Sequence, residues 1–550
     1  MPKHAAVDIT EWNLYGRDTH ENGFMPLPSG THSDAVVLVG PIVGAVTDTT
    51  ARVLIEVASM QAVTMEAFMG DESVCAVSKE VAPKTPTAFQ LDNFEPGRNV
   101  NVVVSVGGEV RRASFTTTKP NKLHWKIATV SCNCHTHTDR IGLWGKLAKV
   151  ASDVDCVLHL GDQIYGDSDF GTKQSGEPFE SAWHASLTLL EPLERQVWSQ
   201  HKGTVREFYR NAYRTTWNMP DVARVLASTA NYMICDDHEF TDDLGDLPEH
   251  SNPSSLEFYV ATLAYQVYNE YQHQLLEEVD VTDRGIKPYY AHKLSPRVGF
   301  FMTDNRVERS LHRAQATKAA WEDRLFMGPA QWDRVTEAFA SDFADCEMVI
   351  FGTPTPLVFL SQKATGAAKL KIDDAQGTWG AKTFENEQKA LTKLLTDWQN
   401  EKDNRVVVTV GGDVHMGGFT DSWHNGSDRP LHQMTASAIG NEPEGGMTPV
   451  REAAIRGAMH ADENLFDFKV RHHGWIYGPN LGMMDFSLTR DGDKRPHTTL
   501  TLVPGGTADA KIRNLQIGDS SIVIDKKDQS RASRQAYETA ELMAAVAPHK

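Results

Sequence analysis

The sequence predicts an α/β protein in which an antiparallel β-sandwich precedes a larger domain of alternating strands and helices. Short apolar runs separated by turn residues fill the stretch from Ala35 to Thr118, which is typical of antiparallel sheets. After Pro120, strands alternate with helical segments, which favours parallel strands joined by helices. Four of these later strands end in clusters of polar side chains. Ligands bind at the carboxyl ends of such strands, so the second domain is the one expected to carry a site.

Composition limits the class of protein. A chain of 550 residues is expected to form two or three domains. Its formal charge of −19 argues against a protein that wraps nucleic acid, whose surface would be basic. Six cysteines over this length do not suggest a disulfide framework. No segment has the length of a membrane span, and the N-terminus lacks an apolar signal region, so we expect a cytoplasmic protein.

The domain boundaries follow from changes in pattern. Residues 35–120 contain period-2 runs such as "NVNVVVSVGG" and form the predicted sandwich, which we expect to resemble a fibronectin type III domain. Residues 121–510 form the predicted α/β domain, in which a helical insertion runs from Ser168 to Asn231. The charged, Ala-rich tail over 511–550 favours a terminal helix.

The α/β domain opens with a strand–helix–strand unit. "LHWKIATVS" and "CVLHLGD" read as strands, and Ile141, Trp144 and Leu147 between them recur at helical spacing. Such a unit predicts two parallel strands with a right-handed crossover. Further strands are predicted at "NYMICDD", "RVGFFMTDN", "EMVIFGT" and "RVVVTVGGD".

Metal-ligand residue types follow four of these strands, in "ATVSCN", "LHLGDQIYGD", "YMICDDHEF" and "VVVTVGGDVH". Acidic residues at one strand end can simply form a turn. Four such clusters at strand ends of one domain instead predict a shared metal centre. The residues that could serve it are Cys132, Asp162, Tyr165, Asp236, Asp237, His238, Asp413 and His415.

The ordered set "SCN … GDQIY … DDHE … GGDVH" resembles the PhoD-like (alkaline phosphatase D) family, within the superfamily of calcineurin-like and purple acid metallophosphatases. The strand "FFMTDNR" and the sandwich ending in "FTTTKP" are also similar to that family, so the likeness runs from about Val37 to Val503. The resemblance implies a four-layer α/β/β/α catalytic domain. It also implies hydrolysis of small phosphate monoesters or diesters by a metal-bound hydroxide at a dinuclear centre.

The residue types divide into two ligand sets. Asp162 has two carboxylate oxygens and can bridge two ions, as two-metal hydrolysis requires. Thiolate, phenolate and imidazole ligands suit a transition metal, with Fe³⁺ as the first expectation and Zn²⁺ as the second. Hard oxygen ligands suit Ca²⁺, Mn²⁺ or Mg²⁺. The first set is Cys132, Tyr165 and His415, and Asp237 and Asp413 join Asp162 in the second.

Two further residues are assigned by the resemblance. His238 matches a histidine that faces the phosphate and assists the leaving group, and the alternative is a histidine that only orients a metal ligand. Arg306 matches a family position and either clamps the phosphate or pairs with an acid.

Other histidines and cysteines receive simpler interpretations. We expect Cys134, His135 and His137 to lie in a solvent-side loop near the site, and His472 and His473 to form a hydrogen-bonded surface pair.

The alternative function is a phospho-ligand-binding or partner-binding protein that retains the fold without turnover. Export from the cell is the alternative location, because most of the family is exported. Oligomeric state is left open.

Overall fold

A computed structural model gives the fold of this protein. The residues that it describes are 36–167, 181–283, 285–309, 326–359, 377–381, 384–424, 427–442, 463–465, 468–489, 494–505 and 513–517. Over these residues the architecture is mixed α/β, as predicted, with four β-sheets.

Two small antiparallel sheets come first among the described residues. Their strands are β1 (Val37–Val46), β2 (Ala51–Val57), β3 (Gln61–Met69), β4 (Glu72–Val81), β5 (Thr87–Leu91), β6 (Asn99–Val106) and β7 (Glu109–Thr116). One sheet has the order β1-β2-β5 and the other β4-β3-β6-β7. Along β6, Val100, Val102 and Val104 are buried while alternate residues are less so, which is the predicted period of two. Both sheets contribute to one buried apolar cluster.

Two larger sheets follow. Their strands are β8 (His124–Val130), β9 (Cys156–Leu160), β10 (Ala230–Ile234), β11 (Tyr290–Ser295), β12 (Val298–Met302), β13 (Met348–Thr353), β14 (Val406–Gly411), β15 (Gly417–His424), β16 (Leu431–Ala436), β17 (Glu463–Leu465), β18 (Phe468–Ile476), β19 (Asn480–Ser487), β20 (His497–Pro504) and β21 (Arg513–Ile517). The orders are β10-β9-β8-β19-β20-β21 and β11-β12-β13-β14-β16-β15-β18-β17. Strands β8, β9 and β10 are parallel, as are β12, β13, β14 and β16.

Helices connect these strands. They are α1 (His135–Ile141), α2 (Leu143–Ala148), α3 (Ala182–Leu190), α4 (Lys202–Trp217), α5 (Pro220–Ser228), α6 (Pro248–Ser251), α7 (Leu256–Tyr271), α8 (Pro329–Glu337) and α9 (Glu385–Asn400). The helix predicted between β8 and β9 is divided in two at Gly142, whose φ of 69° ends α1. Helices α3, α4 and α5 occupy the predicted helical insertion.

Apolar residues cover both faces of each large sheet. Val408 of β14 and Leu158 of β9 belong to the same buried cluster, which therefore joins the two sheets. The neighbouring Val407 packs instead with residues of α9, such as Leu391. Val157 of β9 likewise belongs to a cluster with helical residues. Strands buried on both faces explain the continuous apolar runs in the sequence.

The region after residue 510 differs from the prediction where it is described. Arg513–Ile517 forms strand β21, which pairs with β20, rather than part of a terminal helix. Leu515 and Ile517 are buried two residues apart, so this short segment has the period of a strand. Residues 518–550 of the predicted tail lie outside the described residues.

The turns after β8 and β9, in one large sheet, lie close to each other and to the turn after β14, in the other large sheet. The backbone N–H of Cys132, after β8, donates to the carbonyl of Gly161, after β9, at 3.2 Å. A Cβ atom placed on Gly412, after β14, would lie 2.6 Å from Cβ of Ser131, so only glycine allows this approach. The turns after β8, β9 and β14 therefore meet at one point.

Candidate metal centre

Four predicted ligands lie on strained backbone at these turns. Cys132, Asp162, Asp413 and His415 have φ values of 55°, 55°, 65° and 52°. The left-handed region is uncommon for residues other than glycine and costs of order 1–3 kcal/mol for each residue. Such residues persist where the surrounding structure fixes them, and they concentrate at functional sites. The strained backbone positions therefore lie in the same turns as the sequence motifs that predict a metal centre.

Cys132 and Asp162 are in direct contact. The sulfur of Cys132 lies 3.3 Å from Oδ2 of Asp162, and both residues are buried. Burial raises the pKa of the Cys132 thiol well above its usual value, and the carboxylate of Asp162 raises it further. A cation between the two would favour the thiolate, because it would compensate both negative charges.

Tyr165 and His415 form a second contact across the turns. The phenol oxygen of Tyr165 lies 3.1 Å from Nε2 of His415. Burial raises the pKa of Tyr165 well above its usual value, and Cys132 and Asp162 add to the effect. Burial lowers the pKa of His415 to about 4, so its imidazole is neutral near pH 7 and has a lone pair for a metal.

Carboxylates crowd the other side of the site. Oxygen atoms of Asp236, Asp237 and Asp413 lie within 4.8 Å of one another. Potential ligand atoms of Asp162, Asp237 and His238 also lie within 4.8 Å of one another. Burial raises the pKa of Asp162 well above its usual value, and the neighbouring Asp236 and Asp237 raise it further, although His238 opposes them. Buried carboxylates at this density fit a site for cations, whose charge would relieve the repulsion.

His238 is held on two sides. Its Nδ1 lies 2.9 Å from Oδ1 and 3.0 Å from Oδ2 of Asp167, and its ring stacks on Tyr165 with centroids 4.1 Å apart. Burial lowers the pKa of His238, but Asp167, Asp237 and Asp162 outweigh it and raise that pKa well above its usual value. With Nδ1 occupied by Asp167, the other ring nitrogen, Nε2, is the atom that can serve a substrate.

Arg306 lies among the carboxylates. Its Nε donates to Oδ1 of Asp236 at 2.5 Å, and its Nη1 lies 3.2 Å from Oδ2 of Asp237. Nη2 lies 3.6 Å from Oδ1 of Asp413. Burial lowers the pKa of Arg306, but these acids outweigh it and hold that pKa well above its usual value. Of the two roles predicted for Arg306, the contacts favour pairing with acids.

Residues 127–492, which are more than half of the chain, match the sequence model of a protein family described as "PhoD-like phosphatase". The chain belongs to the PhoD-like phosphatase family. This membership supports phosphatase activity and, because PhoD-like phosphatases are metalloenzymes, a metal requirement. No curated protein matches the chain.

One solved structure agrees with the fold of a PhoD-like phosphatase. "Structure of PhoD" aligns with a TM-score of 0.64 and 14% identity over 90% of this chain and 94% of that chain. At this identity the likeness supports the fold alone. A second match, "GAP50 the anchor in the inner membrane complex of Plasmodium", has a TM-score of 0.34 and 9% identity, covering 78% of this chain and 96% of that one. Within the described residues, no helix is both long and apolar enough to cross a membrane.

Asp167 and Glu239 of this PhoD-like phosphatase were missed by the sequence analysis. Both lie inside quoted motifs, "GDQIYGD" and "DDHEF", so their position was a usable signal. The carboxylate of Glu239 accepts the backbone N–H groups of Asp162, Gln163 and Asp236 at 3.0, 2.7 and 2.9 Å. Glu239 therefore holds the turns after β9 and β10, which carry proposed metal ligands. Asp167 orients the ring of His238.

The loop after β16 was also missed, because its sequence "ASAIGNE" contains no metal-ligand motif. Asn441 in this loop is buried and lies 3.4 Å from Nε2 of His415 through its Nδ2. Its Oδ1 lies 2.8 Å from Nδ1 of His137. Asn441 therefore links a predicted ligand to a histidine on helix α1.

The predicted solvent-side loop near the site is buried instead. Cys134 and His135 are 0% and 7% exposed, and His137 is half-buried. The reason is that α1 begins at His135 and places Cys134 in a small cluster with Cys132, Tyr165 and Ala438.

The two adjacent histidines on β18 are hydrogen-bonded, as predicted, but do not form a surface pair. His472 is buried, and its Nδ1 lies 2.9 Å from the hydroxyl of Thr420. His473 is half-buried, and its Nε2 lies 2.9 Å from Oδ2 of Asp421. Strand β15 pairs with β18 and places Thr420 and Asp421 beside them.

Proposed function

We propose that this PhoD-like phosphatase hydrolyses small phosphate esters at a dinuclear metal centre built from the turns after β8, β9, β10 and β14. Asp162, which has two carboxylate oxygens, would help to hold both ions. Cys132, Tyr165 and His415 complete the site that we call the thiolate site, and Asp237 and Asp413 complete the site that we call the carboxylate site. When bound, two metal ions would activate the attacking water and stabilise charge on the phosphate.

The observation that carries this proposal is the convergence of all four turns. Cys132 touches Asp162, Tyr165 touches His415, and Asp237 lies within 4.8 Å of groups from two other turns. Side chains separated by up to 283 positions in the chain thus surround one volume. Turn formation by acidic residues would not explain why a thiol, a phenol and an imidazole lie at the same place.

The donor atoms suggest which metals bind. Sulfur, phenol oxygen and imidazole nitrogen in the thiolate site suit Fe³⁺ or Zn²⁺, and the all-oxygen carboxylate site suits Ca²⁺, Mn²⁺ or Mg²⁺. Fe³⁺ is our first assignment for the thiolate site, because the phenolate oxygen of a tyrosine is a favourable ligand for a ferric ion.

The chain's own residues supply proton transfer and positioning. His238, oriented by Asp167, donates a proton through Nε2 to the departing oxygen of the ester. Of the two roles expected for Arg306, phosphate clamp or partner of an acid, its contacts support the second, in which it holds Asp236, Asp237 and Asp413 in place before metals bind. Removing one partner from such a buried ion-pair network would leave uncompensated charge.

The domain organisation forms part of the proposal. The two N-terminal sheets would face each other as the sandwich of residues 35–120. The two large sheets, with helices on their outer faces, would form the four-layer catalytic domain, which then extends from residue 121 past 510 to include β21.

A direct assay separates this proposal from the alternative of a phospho-ligand-binding protein without turnover. Purified protein should release nitrophenol from a nitrophenyl phosphate monoester or diester, lose this activity in a chelator, and regain it with added metals. Asp153→Asn, a change at an exposed aspartate, serves as the control for handling. Tight binding of phosphate with no turnover on either ester, in metal-loaded protein, would favour the alternative.

A further inference from the structure

Ser437 lies beside two of the proposed ligands of the thiolate site. It follows strand β16, and its side chain is fully buried. Its hydroxyl oxygen lies 3.1 Å from the sulfur of Cys132 and accepts the backbone N–H of His415 at 3.1 Å. One small hydroxyl group therefore contacts ligand residues that come from different sheets.

The direction of the hydrogen bond to sulfur follows from this arrangement. The oxygen of Ser437 already accepts a hydrogen from His415, so its own hydrogen is free to point elsewhere. A metal-bound thiolate carries no hydrogen and can only accept. With a metal bound to Cys132, Ser437 would therefore be the donor to its sulfur.

The loop that carries Ser437 is fixed by backbone hydrogen bonds. The N–H of Ile439 donates to the carbonyl of Ser131 at 2.9 Å, and the N–H of Gly440 donates to the carbonyl of Cys132 at 3.1 Å. The N–H of Asn480 donates to the carbonyl of Ala438 at 3.0 Å. These bonds join the loop after β16, which carries the hydroxyl, to the loop after β8, which carries the sulfur.

We infer that Ser437 is a positioning residue for the thiolate site: it aims the sulfur of Cys132, limits its electron donation, and supports the strained turn at His415. This inference rests on the proposed function, in which Cys132 and His415 bind one ion. Hydrogen bonds to a ligating sulfur and to neighbouring ligand groups tune both the affinity and the electronic character of the metal.

The chain offers a matched control. The hydroxyl of Ser131 also lies near the sulfur of Cys132, at 3.4 Å, but it donates to the carbonyl of Ala436 and does not contact His415. Ser131→Ala and Ser437→Ala therefore remove the same group at similar depth. Ser437→Thr keeps a hydroxyl donor at the position and serves as the conservative variant.

The test uses Co²⁺ as the probe, added to metal-free protein, with thiolate-to-cobalt absorption and binding affinity as readouts. Ser437→Ala should shift the band to longer wavelength, because the sulfur becomes a stronger electron donor, and should weaken Co²⁺ binding roughly 10- to 100-fold. Ser131→Ala should change the band position and the affinity less than Ser437→Ala does, and Ser437→Thr should stay close to the unaltered protein. If Ser437→Ala does not fold, Ser437→Gly, which also removes the hydroxyl, should show the same shift of the band and the same weaker binding.

Three results would overturn the inference. An unchanged band and affinity in Ser437→Ala would contradict it while leaving the proposed function intact. Equal effects of Ser131→Ala and Ser437→Ala would show that only packing around Cys132 was disturbed. Absence of a thiolate-to-cobalt band in the unaltered protein would contradict both this inference and the assignment of Cys132 as a ligand.

Discussion

The phenol oxygen of Tyr165 lies 3.1 Å from Nε2 of His415, although the two residues are 250 positions apart in the chain. Tyr165 follows β9 in one large sheet, and His415 follows β14 in the other. Their contact therefore shows that the turn after β9 and the turn after β14 lie side by side. It also places two proposed ligands of the thiolate site within reach of a single ion.

The first prediction concerns the identity of that ion. If the thiolate site holds Fe³⁺, the purified protein should have a visible absorption band from phenolate-to-iron charge transfer, and Tyr165→Phe should lose it. Tyr290→Phe, which removes a hydroxyl bonded to the carbonyl of Met233, should keep the band. A colourless and fully active enzyme that contains only zinc or magnesium would contradict the assignment of iron.

The second prediction concerns the proton donor. Loss of a general acid typically slows turnover roughly 10²- to 10⁴-fold, so His238→Ala should slow hydrolysis of an alkyl phosphate ester by this order. A nitrophenyl ester should slow much less, because its leaving group departs without a proton. Metal content, measured on the same samples, should be unchanged.

A second variant, Asp167→Asn, tests whether the orientation of His238 matters for proton donation. It weakens the contact that orients His238 without removing the imidazole, so it should give the same preference for good leaving groups with a smaller loss of rate. Equal slowing of both esters in His238→Ala, together with loss of metal, would instead make His238 a ligand or the support of one.

The third prediction concerns stability away from the metal centre. Asp421 is buried on β15 and accepts hydrogen bonds from Nδ1 of His432 at 2.7 Å and Nε2 of His473 at 2.9 Å. Burial by itself would raise the pKa of Asp421, but these two hydrogen bonds outweigh it and hold that pKa at about 2. A carboxyl group has a pKa of about 3.9 in an unfolded chain, so the folded value is depressed.

A depressed carboxyl pKa stabilises the protein above the unfolded value and ceases to do so as the pH falls through the folded value. Asp421→Asn should therefore lower the free energy of unfolding by roughly 2–3 kcal/mol at pH 7, and the difference should narrow between about pH 4 and pH 2. Urea unfolding of both proteins at pH 7 and pH 3 measures this, with Asp153→Asn as the exposed control. A difference that is equally large at both pH values would contradict the prediction.

The sequence predicts the positions of the site residues better than their contacts. Cys132, Asp162, Asp237 and Asp413 could be found because each follows an apolar strand, and carboxyl ends of parallel strands share an edge. Arg306 could be recognised as a site residue, but its choice of partners depends on three-dimensional distances to several acids.

Residues that act through the backbone give a weaker signal. Glu239 and Ser437 contact ligand turns through backbone N–H groups, and such contacts impose no spacing that the sequence displays. The burial of Cys134 and His135 was likewise invisible, because it depends on where helix α1 begins. In each case tertiary packing decides what local pattern leaves open.

The central claim is that one carboxylate, Asp162, holds two metal ions, and elemental analysis of purified variants tests it most directly. Asp162→Ala should lose both metals, whereas Asp413→Ala should lose mainly the hard cation of the carboxylate site and retain the metal bound by Cys132, Tyr165 and His415. Asp153→Asn should keep the metal content of the unaltered protein. Unchanged metal content in folded Asp162→Ala would contradict the bridging role and, with it, the proposed dinuclear centre.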